Sequence, residues 1–244
     1  MPDLPPDAAG ARDPFAPGFR PVAPRAAATL ILLREAEGDG GIEVLLVQRN
    51  PGSRFMPGVW VFPGGGVKAD EPIGGVAGGE TDADADELAH RAAALRELRE
   101  EAGIELPADA RLELWSRWIT PEPVPIRFDT RFYVAVAPAN ASARVDGGEV
   151  VDARWLAPAR ALELADAGEL DLVLPTRKQL ESLLPFADAG EVLAAARSRR
   201  VEPILPAVVR TAEPPGWRLA LPGEEGYRPP GVQASGGQAL DSAG

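Results

Sequence analysis

Arg96-Glu97-Leu98-Arg99-Glu100-Glu101-Ala102-Gly103-Ile104 reads as the end of a crowded acidic helix closed by a glycine. At about 100° per residue, positions three and four apart are neighbours, so Glu97, Glu100 and Glu101 share one face. The opposite face gathers Leu88, Ala92, Leu95, Leu98 and Ala102, an apolar stripe suited to lie against a sheet. Like-charged carboxylates this close repel by a few tenths of a kcal/mol per pair on a solvated helix, and a bound cation reverses that sign. Oxygen ligands without Cys or His suit a hard ion, Mg²⁺ or Mn²⁺, which keeps water and takes phosphate oxygens as further ligands. The competing reading is a solvated face on which Arg96 and Arg99 neutralise the glutamates.

Working outward, the chain places Phe62-Pro63-Gly64-Gly65-Gly66 upstream of the helix. Glycines there permit backbone torsions that side chains forbid and let a phosphate or metal approach closely. Before them, residues 26–33 (AAATLILL) and 42–48 (IEVLLVQ) are apolar runs of strand length around a glycine-rich turn, and residues 59–62 form a short strand. Residues 67–86 are acidic and glycine-rich and read as a surface loop. Asp84 and Glu87 resemble a capping box that starts the helix near Ala85. Strands follow at 112–119 and 130–137, then a last strand from Glu149 to Leu156, and helices at 159–167, 176–184 and 189–199. Residues 1–24 carry seven prolines and read as a disordered arm, and residues 201–244 as an irregular wrap and tail.

The net charge of −12 and pI of about 4.7 repel nucleic acid and anionic membrane, so an anionic substrate must be met by local cations. No run approaches the ~18 apolar residues of a membrane span, and there are no cysteines for disulfides or thiolate sites. The expectation is a soluble, cytoplasmic protein, with a homodimer as one possible assembly.

The helix end resembles the second half of the Nudix box, G-x5-E-x7-R-E-U-x-E-E-x-G-U with U aliphatic. Arg96 to Ile104 match R-E-U-x-E-E-x-G-U at every defined position, and Phe62-Pro63-Gly64-Gly65 resembles its usual lead. The first half departs from the pattern. Gly65 and Arg96 are 31 positions apart where the uninterrupted box has 14, so 17 residues are inserted. Counted back from Arg96, the box's first Glu falls on Leu88, with Glu87 one residue off.

This resemblance implies an α+β fold, the Nudix αβα sandwich with a mixed sheet, over residues 25–170, with residues 67–86 as an inserted loop and 171–200 as a helical elaboration. It implies hydrolysis of a nucleoside diphosphate linked to a group X. Glu97, Glu100 and Glu101 would hold Mg²⁺ or Mn²⁺, and Arg96, the box arginine, would orient a glutamate through its i+4 relation to Glu100. Glu149, six residues before Trp155, resembles the extra acidic residue that some members place opposite the helix, here a candidate general base; as a residue beside Gly147-Gly148 it equally suits a turn. Gly64 and Gly65 would floor the phosphate site. Arg49 and Arg54 either clamp phosphate or are surface charges.

Phe55, Trp60, Trp118 and Phe128 either stack on a base or belong to the core, and His90 reads as a surface or packing residue. Residues 53–65 (SRFMPGVWVFPGG), 118–121 (WITP) and 127–132 (RFDTRF) are further similar to the peroxisomal coenzyme A diphosphatase branch of the family and its bacterial relatives. That branch would cleave CoA or acyl-CoA to 3',5'-ADP and a phosphopantetheine. The alternatives are the same reaction on ADP-ribose, NADH or nucleotide sugars, or a catalytically silent nucleotide-binding module.

Overall fold

The structure is a computed structural model that describes residues 12–36, 40–53, 56–71, 82–107, 110–145, 147–212 and 216–228. The apolar runs form strands β1 (Arg25–Glu35) and β2 (Ile42–Arg49), antiparallel through Leu33↔Val44 to Glu35↔Ile42. A short β3 (Trp60–Val61) pairs antiparallel with the end of β2 through Val47↔Val61 and Gln48↔Trp60. The other side of β1 pairs in parallel with β6 (Phe128–Val136), which pairs antiparallel with β5 (Glu113–Ile119). Strand β7 (Val150–Leu156) lies antiparallel on β2. The sheet is therefore mixed, as expected.

The period of a strand divides the core in two. From β1, Ala28, Leu30 and Leu32 point to one face, where they meet Ala93, Ala94, Leu98 and Ala102 of helix α1 (Asp82–Ala102). Ile31 and Leu33 point to the other, toward α2 (Pro158–Asp166), α3 (Leu174–Leu183) and α4 (Ala189–Ser198), whose Leu164, Leu180, Leu183 and Val192 are buried there. One helix covers one face and three cover the other, which is the αβα sandwich. Pro158 and Pro175 sit in the first turns of α2 and α3, where a missing N–H costs nothing, and Asp188 caps α4 by accepting from Glu191 N.

Four local expectations change. Helix α1 starts at Asp82, three residues before Ala85, and the Glu87 carboxylate accepts from Arg91 and Arg131 rather than closing a capping box. Gly64–Gly66 is a strand, β4, antiparallel to β1 through Thr29↔Gly64 and Ala27↔Gly66. A Cβ on Gly64 would lie 2.4 Å from Thr29 Oγ1 and 2.6 Å from the Ala28 carbonyl oxygen, so β4 can run this close only as glycine.

After α4 the chain forms β8 (Pro203–Ile204), parallel to β5, and a hairpin of β9 (Ala207–Arg210) and β10 (Trp217–Ala220), in place of an irregular wrap. Residues 12–24, expected within an arm, are tied to the body: Arg12 N donates to the Pro123 carbonyl and Arg127 Nη1 to the Val22 carbonyl. The rest of the arm (1–11), residues 72–81 of the inserted loop and the tail beyond 228 lie outside the described residues.

Candidate active site

Helix α1 ends where it does because Gly103 adopts φ +64°, donating its N–H to the Arg99 carbonyl, while Arg144 N donates to the Ala102 carbonyl. Its last turns carry the acidic cluster, but the two faces differ from the helical-wheel expectation. Glu101 stands seven residues beyond Ala94, two turns up the same stripe, so it shares the buried face with Ala94 and Leu98. Glu97 lies at the margin of that stripe. Glu101 is 2% exposed and Glu97 8%, whereas Leu88 and Leu95 of the expected apolar stripe are half-buried.

Strand β4 supplies the floor. Gly64 N–H donates to Glu101 Oε2 at 2.9 Å. Gly65 lies so close to Glu97 that an added Cβ would be 2.2 Å from its Oε1. The third carboxylate comes from Glu149, just before β7. Asn50 N donates to the Glu149 carbonyl at 2.9 Å and Asn50 Nδ2 to the Gly148 carbonyl at 2.8 Å, which fastens this residue to the end of β2 beside Arg49. Ligand-capable oxygens of Glu97, Glu101 and Glu149 lie within 4.8 Å of one another. Glu100, expected in this set, points outward, with its carboxylate on Arg96 Nη1 at 2.9 Å.

Arg96 is the hub. Its guanidinium donates to Glu71 Oε1 (2.8 Å), Glu97 Oε1 (2.7 Å), Glu100 Oε2 (2.9 Å) and the Gly66 carbonyl (3.0 Å). Glu71 was missed in the sequence. Counted forward from Gly65, G-x5-E ends on Glu71, so all 17 inserted residues fall between the first Glu of the box and Arg96. Counting back from Arg96 crosses the insertion and lands on Leu88, which carries no such contact.

The electrostatics follow from burial. Glu101 is pushed up to about 8, foremost by burial, against the Gly64 hydrogen bond. Burial also raises Glu97, in spite of Arg96. Burial pushes Glu71 upward too, but the Arg96 hydrogen bond and charge, with the Lys68 amide, hold it below the ordinary carboxylate value. Arg96 is raised, chiefly by its Glu71 hydrogen bond.

Glu101 Oε1 is buried with no hydrogen-bond partner. A buried carboxylate oxygen without a donor is costly, and here it stands among converging carboxylates in an all-oxygen site. These residues fit a hard divalent cation.

A stability prediction follows. Between the ordinary carboxylate value of 4.5 and about 8, the folded protein keeps a proton on Glu101 that the unfolded chain has lost. The ion-free protein therefore loses stability as pH rises through that window, by on the order of a few kcal/mol. Thermal unfolding in EDTA is expected to give a lower Tm at pH 8.5 than at pH 6, and added Mn²⁺ to raise Tm more at the higher pH.

The two glycines separate structure from ligation. Gly64→Ala drives a Cβ into backbone and is expected to destabilise the protein by several kcal/mol, on the order of the larger single-residue effects. Gly65→Ala meets only the end of the Glu97 side chain; it is expected to weaken Mn²⁺ binding about tenfold or more with a smaller change in Tm, as for disturbed metal surroundings generally.

The cluster opens on a cavity of about 420 Å³ that Arg49, Gly64 and Gly65 also line. Trp118 and Phe128 are on its wall, whereas Trp60 is buried in the core beneath α2–α4. Arg54 and Phe55 lie outside the described residues. His90 is buried on α1, its Nδ1 2.7 Å from the Asp86 carbonyl, a packing position.

Comparison with known proteins adds the family. Residues 23–176 match the NUDIX domain model. The chain is 28% identical over 199 residues to a Caenorhabditis elegans protein called nudix hydrolase 7, covering 67% of this chain and 62% of that one. It is 31% identical over 121 residues to the human acyl-coenzyme A diphosphatase NUDT19, covering 48% of this chain and 32% of that one. The crystal structure of a NUDIX hydrolase from Alicyclobacillus acidocaldarius superposes with a TM-score of 0.63 at 28% identity, over 70% of this chain and 96% of that one. With a domain match over more than half its length, this chain belongs to the Nudix family.

Proposed function

We infer that this protein is a divalent-metal-dependent diphosphatase that cleaves a nucleoside diphosphate linked to a group X, with CoA or acyl-CoA as the substrate. The observation that carries this reading is the partnerless, buried Glu101 Oε1 among carboxylates at the glycine floor of a cavity. The similarity to NUDT19 over about half the chain supports the choice of substrate.

In this reading Glu97 and Glu101 hold Mg²⁺ or Mn²⁺. The ion, when bound, neutralises diphosphate oxygens and acidifies a water. Arg96 fixes Glu97 and is itself held by Glu71 and Glu100. The Gly64 N–H orients Glu101. Glu149 accepts the proton of the attacking water, whose oxygen bonds to phosphorus as the bridging P–O bond breaks, leaving two phosphomonoesters. Arg49, on the same cavity, binds the non-bridging oxygens.

The test is a panel of CoA, acyl-CoA, ADP-ribose and NADH incubated with Mn²⁺ or Mg²⁺ and separated by chromatography. Release of 3',5'-ADP from CoA or acyl-CoA is the expected result. Hydrolysis of ADP-ribose or NADH alone would reassign the substrate, and no hydrolysis of any would overturn the enzymatic reading.

A further inference from the structure

The family domain ends at residue 176, yet the cavity wall does not. Pro206 and Leu219 line the same cavity as Glu97, Glu101 and Glu149. They arrive there by specific pairing. Strand β8 lies parallel to β5 with Trp118↔Ile204, which brings the chain back beside Trp118 of the cavity wall. The hairpin then sets Leu219 opposite Val208. Successive strand residues alternate faces, so Leu219 shares its face with Trp217, which is 6% exposed. Arg210 of β9 stacks its guanidinium on Phe15, 3.9 Å from the ring centroid, so the N-terminal segment and the hairpin brace each other. This wall is a packed element rather than a passing tail.

Its chemistry contrasts with the acidic end. Away from the carboxylates, Phe128, Phe132, Val173, Leu174, Pro206 and Leu219 face the cavity, and Arg49 is the one cation among the described lining residues. An apolar wall without charges gains from desolvating hydrocarbon and loses from desolvating an ionised group.

We propose that Pro206 and Leu219, supplied by the chain beyond the family domain, form a specificity wall that favours substrates whose X group carries a hydrocarbon portion. The inference rests on the diphosphatase reading for its turnover assay, and on ligand binding alone for its second readout.

Two ligands separate the two ideas: the hexyl and methyl esters of ADP, which share the diphosphate and nucleoside and differ only in hydrocarbon length. Wild-type protein is expected to favour the hexyl ester by about tenfold or more, both in kcat/KM with Mn²⁺ and in calorimetric affinity with Ca²⁺. Leu219→Asp is expected to erase that preference through the KM and Kd of the hexyl ester, with a smaller loss on the methyl ester. Leu219→Met should retain the preference, and Leu219→Ala replaces the Asp variant should that one unfold in a thermal melt. Turnover of both esters without discrimination overturns the wall and leaves the diphosphatase reading standing. Discrimination in binding without turnover of either overturns the diphosphatase reading and leaves the wall. An equal loss on both esters in Leu219→Ala or Leu219→Asp shows a merely structural role and also overturns the proposal.

Discussion

Glu101→Gln is expected to lower kcat/KM on the order of 10³-fold or more while the protein stays folded. The amide oxygen can still accept the Gly64 N–H, and the shape of the side chain is kept. What disappears is the negative charge, and with it the oxygen that has no protein partner. The same substitution removes the penalty of ionising a buried carboxyl that titrates near 8. At pH 8.5 in EDTA the Gln variant is therefore expected to melt above the wild type, by a smaller margin at pH 6, and the two should converge only as the pH falls to about 4.5. A variant that is more stable and almost inactive is the signature of a residue kept for chemistry. Parallel measurement of turnover and thermal unfolding checks both halves; undiminished turnover would remove Glu101 from the machinery.

The second large effect falls on stability. Arg96→Met is expected to cost about 3–5 kcal/mol, because it strands the Glu71 carboxylate, whose side chain is 1% exposed, without its cation. For a chain of this size that corresponds to a fall in Tm of roughly 10 °C. Glu97 loses the Arg96 Nη1 donor at 2.7 Å in the same step, so metal affinity should fall too. Combining Arg96→Met with Glu71→Gln is expected to restore part of the stability, since a neutral amide tolerates burial better than an unpaired charge, but none of the activity. Thermal unfolding of the two single variants and the double variant measures this coupling; additive losses would show that the two side chains do not act as a pair.

The legible parts of the fold were those where one local signal dominates. Residues 26–33 and 42–48 are apolar runs too short for helices and became β1 and β2 nearly as read. The Gly103 stop marked the end of α1 by backbone chemistry alone. What escaped depended on tertiary partners. Gly64–Gly66 has no intrinsic strand preference and pairs with β1 in the fold, where β1 leaves no room for a side chain at Gly64 and Glu97 leaves none at Gly65. Strands β8 to β10 hide among prolines; β8 is stabilised by a neighbour, β5, some 86 residues earlier in the chain, and β9 and β10 by each other.

The site shows the same division. The cluster of glutamates was visible, but a charge pattern suggests a solvated face, and only the packing of α1 on the sheet reveals that Glu97 and Glu101 are buried while Glu100 points outward to Arg96. Glu149 joins them through the turn that Asn50 fastens, a contact across 98 positions with no local trace. Glu71 was readable from Gly65 onward and obscured by the insertion. Arg96, chosen from the box, turned out to bind four partners rather than the one that helical spacing suggests.

The most direct test of the account is a Mn²⁺ titration of the metal-free protein, followed by the electron paramagnetic resonance of the free ion, in wild type and in the Glu97→Gln and Glu101→Gln variants. Wild type should take up Mn²⁺ at a saturable site, and each variant should lose at least about tenfold in affinity there. Equal uptake by all three proteins would contradict the claim that these buried carboxylates are built to hold a divalent ion.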